Sequence, residues 1–302
     1  MKKWTVDNIP DQKGRIALVT GANSGLGFEI SQTLALKNAE VILACRDEKK
    51  AKTAIEHILT KIPKAKLTFV KLDLSDLDSV SECAEEVKKK YKRLDLLINN
   101  AGIMVPPFLH TKQGFELQFG TNHLGHFALT GKLLPIMAKI AGARIVSVSS
   151  IAASLNYINF NDLNYEQNKY FAWQAYGQSK LANQMCMKEL AQKLNKNKFA
   201  AISVGAHPGV STTNLFKNSA SIIRKLYPLI SHSPNKGAES ILRAATDLEA
   251  KNGSYWGPSG LFGVKGAPAQ AKLQSKTLNP NLTQQLWEIS EKQTGVKFPI
   301  QF

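Results

Sequence analysis

Tyr176 and Lys180 are the side chains whose types and spacing point most directly to proton chemistry in this sequence. They lie four apart in a stretch, 172–194, whose pattern predicts a helix, so their side chains share one face, one turn apart. A phenol with its ordinary pKa of about 10 is a poor acid at neutral pH, but an adjacent ammonium favours the phenolate and lowers that value. The pair could therefore exchange a proton with a bound substrate. Tyrosine and lysine also fall four apart by chance in many helices. The pair gains meaning only if the chain supplies a cofactor and a partner for a developing oxyanion.

The elements before that helix suggest where a cofactor would sit. Residues 15–20 are a short β-rich apolar run, followed at once by Gly21-Ala22-Asn23-Ser24-Gly25-Leu26-Gly27 and a predicted helix over 28–37. Strand, glycine turn and helix are what a dinucleotide phosphate loop needs: the glycines permit close backbone approach and the helix N-terminus faces the pyrophosphate. The spacing is G-x-x-x-G-x-G, and an ordinary glycine turn is the competing reading. A second strand over 40–45 ends in Cys45-Arg46-Asp47. An acidic residue there would select NAD through the ribose 2′-hydroxyl. Arg46 instead suits a 2′-phosphate, hence NADP(H), or is a surface arginine opening the helix predicted over 47–61.

A third β run, 66–72, leads to Asp73-Leu74-Ser75, where Asp73 could accept a hydrogen bond from an adenine amine, cap the helix starting near Asp76, or do both. A fourth strand over 94–98 ends in Asn99-Asn100-Ala101-Gly102, the place beyond a buried strand's carboxyl end where open α/β sheets bind ligands. A long helical region is predicted over 114–140, and Asn122 is a locally costly residue inside it, whereas His123 and His126 read as surface or packing residues. A fifth strand, 144–148, ends at Ser149-Ser150, and a sixth, 199–206, at His207-Pro208-Gly209. The irregular stretch 210–234 mixes polar and large apolar residues and reads as a substrate lid. A helix over 235–249, a last strand near 254–256 and a tail, 257–302, with one helix near 282–294 complete the chain. Alternating β and α segments without repeat or linker indicate one α/β domain with a doubly wound parallel (Rossmann) sheet of about seven strands.

Composition bounds the remaining classes. At 302 residues, with 43% hydrophobic and 21% charged residues, the chain reads as an ordinary globular protein. No apolar run is long enough for a membrane span and the N-terminus has no apolar signal core, so a cytoplasmic location is expected. Cys45, Cys83 and Cys186 have neither metal-ligand nor CxxC spacing, which fits a reducing compartment and no metal. The net charge of +16 is spread over helical surface lysines among acidic residues, which argues against specific nucleic-acid binding and leaves weak, salt-dependent retention.

Taken together, Thr20-Gly21-x-x-x-Gly25-x-Gly27, Asn99-Asn100-Ala101-Gly102, Asn122, Ser150, Tyr176-x-x-x-Lys180 and Pro208-Gly209 resemble the short-chain dehydrogenase/reductase family. The resemblance spans roughly 13–260. Within the family, Ala44-Cys45-Arg46-Asp47, the His-Pro-Gly turn and Leu286-Trp287-Glu288 are similar to the retinol dehydrogenase and WW-domain oxidoreductase group, and protochlorophyllide reductases are also similar. The resemblance implies Tyr176 as general acid or base, with Lys180 lowering its pKa and holding the nicotinamide ribose. It implies Ser150 at the carbonyl oxygen, Asn122 supporting a proton-relaying water and Asn100 beside the nicotinamide ribose. Two departures stand out. Ser150 and Tyr176 are 26 residues apart, about twice the usual gap, which leaves Ser149 as an alternative serine. Ser211 stands where the pattern Pro-Gly-x-Val-x-Thr has valine, leaving Thr213 as the expected cofactor contact.

The expected activity is therefore NADP(H)-dependent interconversion of a small-molecule carbonyl and an alcohol. The apolar lid and long insertion suit a bulky retinoid-, steroid- or lipid-like substrate, with a reductase of broad specificity as the other reading. An NADP(H)-binding sensor with little turnover is the alternative from a different class. Monomer and homo-oligomer are both compatible with the sequence.

Overall fold

The computed structural model describes residues 3–210 and 232–299. Eight strands form one sheet: β1 (Ile16–Thr20), β2 (Glu40–Cys45), β3 (Leu67–Lys71), β4 (Leu96–Asn99), β5 (Arg144–Val148), β6 (Ile202–Ala206), β7 (Tyr255–Pro258) and β8 (Pro268–Gln270). Their spatial order is β3-β2-β1-β4-β5-β6-β7-β8. Pairing is parallel from β3 to β7, and β8 runs antiparallel to β7 at the edge. This is the expected doubly wound sheet with one strand more than expected. β8 is three residues long and contains Pro268, so no apolar run or alternation announces it.

Central strands alternate between two apolar layers because successive side chains point to opposite faces. Val19, Leu43 and Ile98 face one layer, filled by Ile30 and Leu34 of α1 (Gly25–Leu36), Ile58 of α2 (Glu48–Lys61) and Ile241 of α7 (Pro234–Thr246). Leu18, Ile42 and Leu97 face the other, filled by Val80 and Val87 of α3 (Leu77–Lys90), Leu129 of α5 (Gly125–Leu133) and Leu190 of α6 (Ala172–Lys196). The strand order reverses between β1 and β4, so a crevice opens at their carboxyl ends, where open α/β sheets bind ligands.

The helix expected over 114–140 is broken. A single turn, α4 (Leu117–Phe119), runs into a π-helical turn at Gly120–Leu124, then α5, then a 3-10 turn at Leu134–Ile136. Within the π turn the Gly125 N–H reaches back five residues to Gly120 O, and the Asn122 carbonyl is met by the His126 Nδ1 at 2.9 Å. Asn122 is thus locally costly in a regular helix, and the helix is irregular there. The lid expected over 210–234 falls almost wholly outside the described residues, as does Thr213. No helix among the described residues is long and apolar enough to cross a membrane.

The tail is part of the core. Helix α8 (Pro280–Thr294) places Trp287, 1% exposed, against Phe127 and Phe298 with ring centroids 5.0 and 4.5 Å away. Trp287→Ala should cost about 3–5 kcal/mol, read as a lower urea midpoint with an unchanged slope. A loss below about 1 kcal/mol would show that the tail packs without contributing to stability. Three histidines are also buried. Desolvation pushes His123 down to about 3 and His126 and His207 down to about 4, against an ordinary value near 6.5. Between those values the unfolded chain binds protons that the folded chain refuses. Stability therefore falls as pH drops from about 6.5 toward 4 and is fully present above that window. Urea midpoints at pH 7.5 and 5 test this, and equal midpoints would contradict it.

Candidate active site

The crevice between β1 and β4 opens into a cavity of about 360 Å³. Its wall contains Gly21, Asn23, Ser24, Gly25, Leu26 and Gly27 from the glycine turn, Arg46 after β2, Asp73 and Leu74 after β3, and Asn100, Ala101 and Gly102 after β4. Twelve positions singled out in the sequence thus meet on one surface. Gly21 and Gly25 have φ of +65° and +54°, conformations that side chains disfavour. A Cβ on Gly27 would stand 2.3 Å from Gly21 O and 2.8 Å from Asn100 Nδ2, so the turn closes only around glycine.

One hydroxyl holds the two halves of this crevice together. Thr20 Oγ1 accepts from the Asn100 and Ala101 N–H groups, both at 2.9 Å, and meets His126 Nε2 at 2.9 Å. Its own proton is directed between the imidazole and Ile98 O, 3.4 Å away, and the imidazole Nδ1–H donates to the Asn122 carbonyl. Asn100 Nδ2 returns a bond to Thr20 O at 2.9 Å. Thr20 and His126 were not among the site residues expected from sequence. A threonine ending a strand and a histidine one turn after Asn122 carry no local signal for a bridge between β1, β4 and α5.

Ser24 is the N-cap of α1, yet its side chain makes no capping bond, which leaves that helix terminus open toward the cavity. Arg46 is exposed, and no side chain among the described residues pairs with its guanidinium. Asp47, not Arg46, caps α2 by accepting from Lys50 N at 3.0 Å. Asp73 does not cap α3. It accepts from Ser75 N and Ser75 Oγ at 3.0 and 2.6 Å, while Asp76 is the cap. Asp73 is thereby relieved of the capping role that competed with cofactor contact, and Arg46, exposed just ahead of the α2 cap, suits both readings of it.

Behind Gly102, and not on the cavity wall itself, α6 carries Tyr176, 7% exposed, and Lys180, 4% exposed. Lys180 Nζ lies 5.9 Å from the Tyr176 ring centre and donates to Val148 O at 3.3 Å. A Cβ placed on Gly102 would come within 3.1 Å of Asn122 Oδ1 and 3.2 Å of Lys180 Nζ, so these three groups converge on one point. The Asn122 side chain accepts from Ile103 N at 2.8 Å and donates to Ile103 O and Ser179 Oγ at 2.9 and 3.0 Å. The two serines separate clearly. Ser149 Oγ donates to Lys180 O at 2.7 Å and accepts from Gln184, which fixes it to the α6 backbone. Ser150 caps the short turn Ile151–Leu155 by accepting from Ala152 N at 3.2 Å, and its hydroxyl lies near enough to that of Tyr176 to favour the phenolate.

Burial, not the ammonium, dominates the protein's own electrostatics here. Desolvation pushes Tyr176 up to about 12, partly offset by the Ser150 hydroxyl, and pushes Lys180 down to about 8. Spacing alone predicts that Lys180 lowers the phenol. At this separation and depth, burial opposes both charged forms and wins. Pro208 and Gly209 lie apart from the cavity wall: Gly209 has φ of +71°, and a Cβ there would stand 2.3 Å from Val264 O. The His-Pro-Gly turn thus packs on the tail.

The insertion between Ser150 and Tyr176 is fastened by a buried carboxylate. Glu116 accepts from Gln118 N and Phe119 N at 2.9 and 2.7 Å and from the Tyr170 hydroxyl at 3.2 Å. Gln118 Nε2 donates to Tyr170 Oη and Ala172 O, both at 2.9 Å, and Gln118 Oε1 accepts from Val105 N. This knot sets loop 103–112 against the insertion. It leaves Phe108, Tyr157, Phe171 and Trp173 exposed, the last with its ring centre 6.5 Å from that of Tyr176.

Comparison with known proteins agrees with this architecture. Mouse (Mus musculus) retinol dehydrogenase 12 is 37% identical over 289 residues, 94% of this chain and 88% of the relative. Human (Homo sapiens) retinol dehydrogenase 11 is 38% identical over 92% of this chain and 85% of the relative. A solved Mycobacterium paratuberculosis protein superimposes with a TM-score of 0.84 at 36% identity, covering 99% of this chain and all of that one. A Shigella flexneri short chain dehydrogenase solved in complex with NADP gives a TM-score of 0.64 at 26% identity over 81% of this chain and 97% of that one. The family model for short chain dehydrogenases matches residues 15–222, and the chain belongs to that family of oxidoreductases.

Proposed function

We propose that the protein is an NADP(H)-dependent oxidoreductase that interconverts a carbonyl and an alcohol, with Tyr176 as the proton-transferring group. The observation that carries this reading is the convergence of Lys180 Nζ and Asn122 Oδ1 on Gly102, which lines the crevice, with Tyr176 one helical turn from Lys180 and the Ser150 hydroxyl near it. The glycine turn, the open N-terminus of α1 and Arg46 would hold the phosphates, with Arg46 meeting a 2′-phosphate. Asp73 and Leu74 would flank the adenine. Asn100, Ala101, Gly102 and Lys180 would hold the nicotinamide half, with Pro208, Gly209 and Thr213 as further contacts carried by the resemblance. The nicotinamide, when bound, supplies or accepts a hydride.

The chain's own residues handle the oxygen and its proton. A carbonyl oxygen placed between the Ser150 and Tyr176 hydroxyls accepts from both, where negative charge develops as the carbonyl carbon is reduced. Tyr176, held protonated at neutral pH, is in the state a proton donor needs, which suits reduction. Lys180, whose single hydrogen bond among the described residues is to Val148 O, keeps donors for ribose hydroxyls. Asn122 acts as a positioning residue through Ile103 and Ser179, and its carbonyl keeps a second lone pair for a relay water. The exposed aromatic rim and the Glu116 knot favour a bulky apolar substrate, and the names of the retinol dehydrogenase relatives point the same way.

Tyr176→Phe should lower turnover about 10²–10⁴-fold in a carbonyl panel followed by NADPH absorbance, with NADPH affinity kept. Activity near that of the natural chain would remove Tyr176 from the acid role. Arg46→Ala should weaken NADP⁺ binding about ten- to a hundredfold, as loss of a charge-assisted hydrogen bond, while leaving NAD⁺ within about twofold. Titration of both cofactors checks this, and equal losses would contradict the 2′-phosphate assignment.

A further inference from the structure

The tail docks on the sheet through a layer that is not wholly apolar. Between β4, β5, α5, α6 and α8 lies a small, half-open cavity of about 30 Å³ whose polar wall includes Asn99, Ser147 and Asn183. Two deeply buried groups on that wall have no hydrogen-bond partner among the described residues: Asn99 Oδ1, on a residue 4% exposed, and the Trp287 Nε1–H. The opposite end of the Asn99 amide is engaged, with Nδ2 donating to Thr130 Oγ1 at 2.9 Å. Neither imidazole on the wall hydrogen-bonds these orphans. His126 is bonded through both nitrogens, and His123 Nε2 meets Ser290 Oγ at 2.8 Å.

Empty cavities in proteins are lined by apolar groups, whereas polar ones of sufficient size hold water with two to four partners. The volume here suits about two molecules. The chemistry is complementary to water and to little else of that size: one orphan is an acceptor, the other a donor, and Ser147, opposite Asn99 in the β4–β5 ladder, carries a hydroxyl that can do either. We propose that this cavity is a binding site for about two structural water molecules, one donating to Asn99 Oδ1 and one accepting from Trp287 Nε1. The pair completes a polar chain from the tail through Asn99, Thr130 and His126 to Thr20, and so to the turn that lines the dinucleotide crevice. The tail is then tied to the nucleotide end by hydrogen bonds as well as by apolar packing. This holds whether or not Tyr176 is the catalytic acid.

A crystal structure of the full chain at about 1.5 Å should show ordered waters about 2.7–3.2 Å from both orphan atoms. A dry cavity, or side chains closing it and pairing with those atoms, would overturn the assignment. A solution test compares Ser147→Val with Ser147→Thr, which add the same volume but differ in the hydroxyl. If water is displaced or loses a partner, the valine variant melts several degrees below the threonine variant. Equal melting temperatures, or a valine variant melting higher than threonine, would mean that the cavity is apolar in effect and would also overturn the proposal.

Discussion

Thr20 is where the two halves of the sheet are joined beyond their strand pairing. Parallel pairing brings β1 beside β4, but pairing alone does not shape the turns beyond the strands. The Thr20 hydroxyl accepts from two N–H groups of the turn after β4 and hydrogen-bonds His126, so the glycine turn, the Asn100–Gly102 turn and α5 are joined through one group. The Asn100 amide then occupies the space beside Gly27, and Gly27 can have no side chain. Shape at the crevice floor follows from one hydroxyl and one missing Cβ.

The same junction takes in the irregular helix. His126 meets the Asn122 carbonyl where the π turn at Gly120–Leu124 has shifted the backbone register. Asn122 in turn uses its amide to hold Ile103 and Ser179, linking the turn after β4 to α6 one residue from Lys180. A local defect in one helix therefore positions the groups behind Gly102. The burial of His123 and His126 is the associated cost, carried as sensitivity to acid.

Much of this was legible in the sequence because it rests on local pattern. Apolar β runs followed by Gly21–Gly27 or Asn99–Gly102 located the strands and the crevice wall, and the spacing of Tyr176 and Lys180 put them on one helical face. The features that were not legible depend on long-range pairing. Strand β8 forms because a short segment lies beside β7, not because of its own residues. Ser149 and Ser150 are neighbours of the same type, and only the approach of α6 ties one to the Lys180 backbone and leaves the other near the Tyr176 hydroxyl. The direction in which the chain's own groups push Tyr176 was not legible for a related reason. Spacing reveals an ammonium nearby but not how deeply both groups are buried, and depth decides the outcome.

Depth also separates the residues that build the site from those left to bind. Thr20, Asn122, His126 and Ser149 are buried, and their polar atoms are engaged within the protein. Along the crevice the pattern reverses. Arg46 has no partner among the described residues, Ser24 caps nothing with its side chain, and Lys180 has one bond for three donors. Donors left unengaged on a fixed scaffold are costly in isolation and favourable once polar groups arrive, because the scaffold has already been ordered. They run from Arg46 past the start of α1 to Lys180, an extended row suited to a ligand with anionic groups at one end and hydroxyls at the other. The engaged set accounts for the shape, and the unengaged set accounts for what that shape can hold.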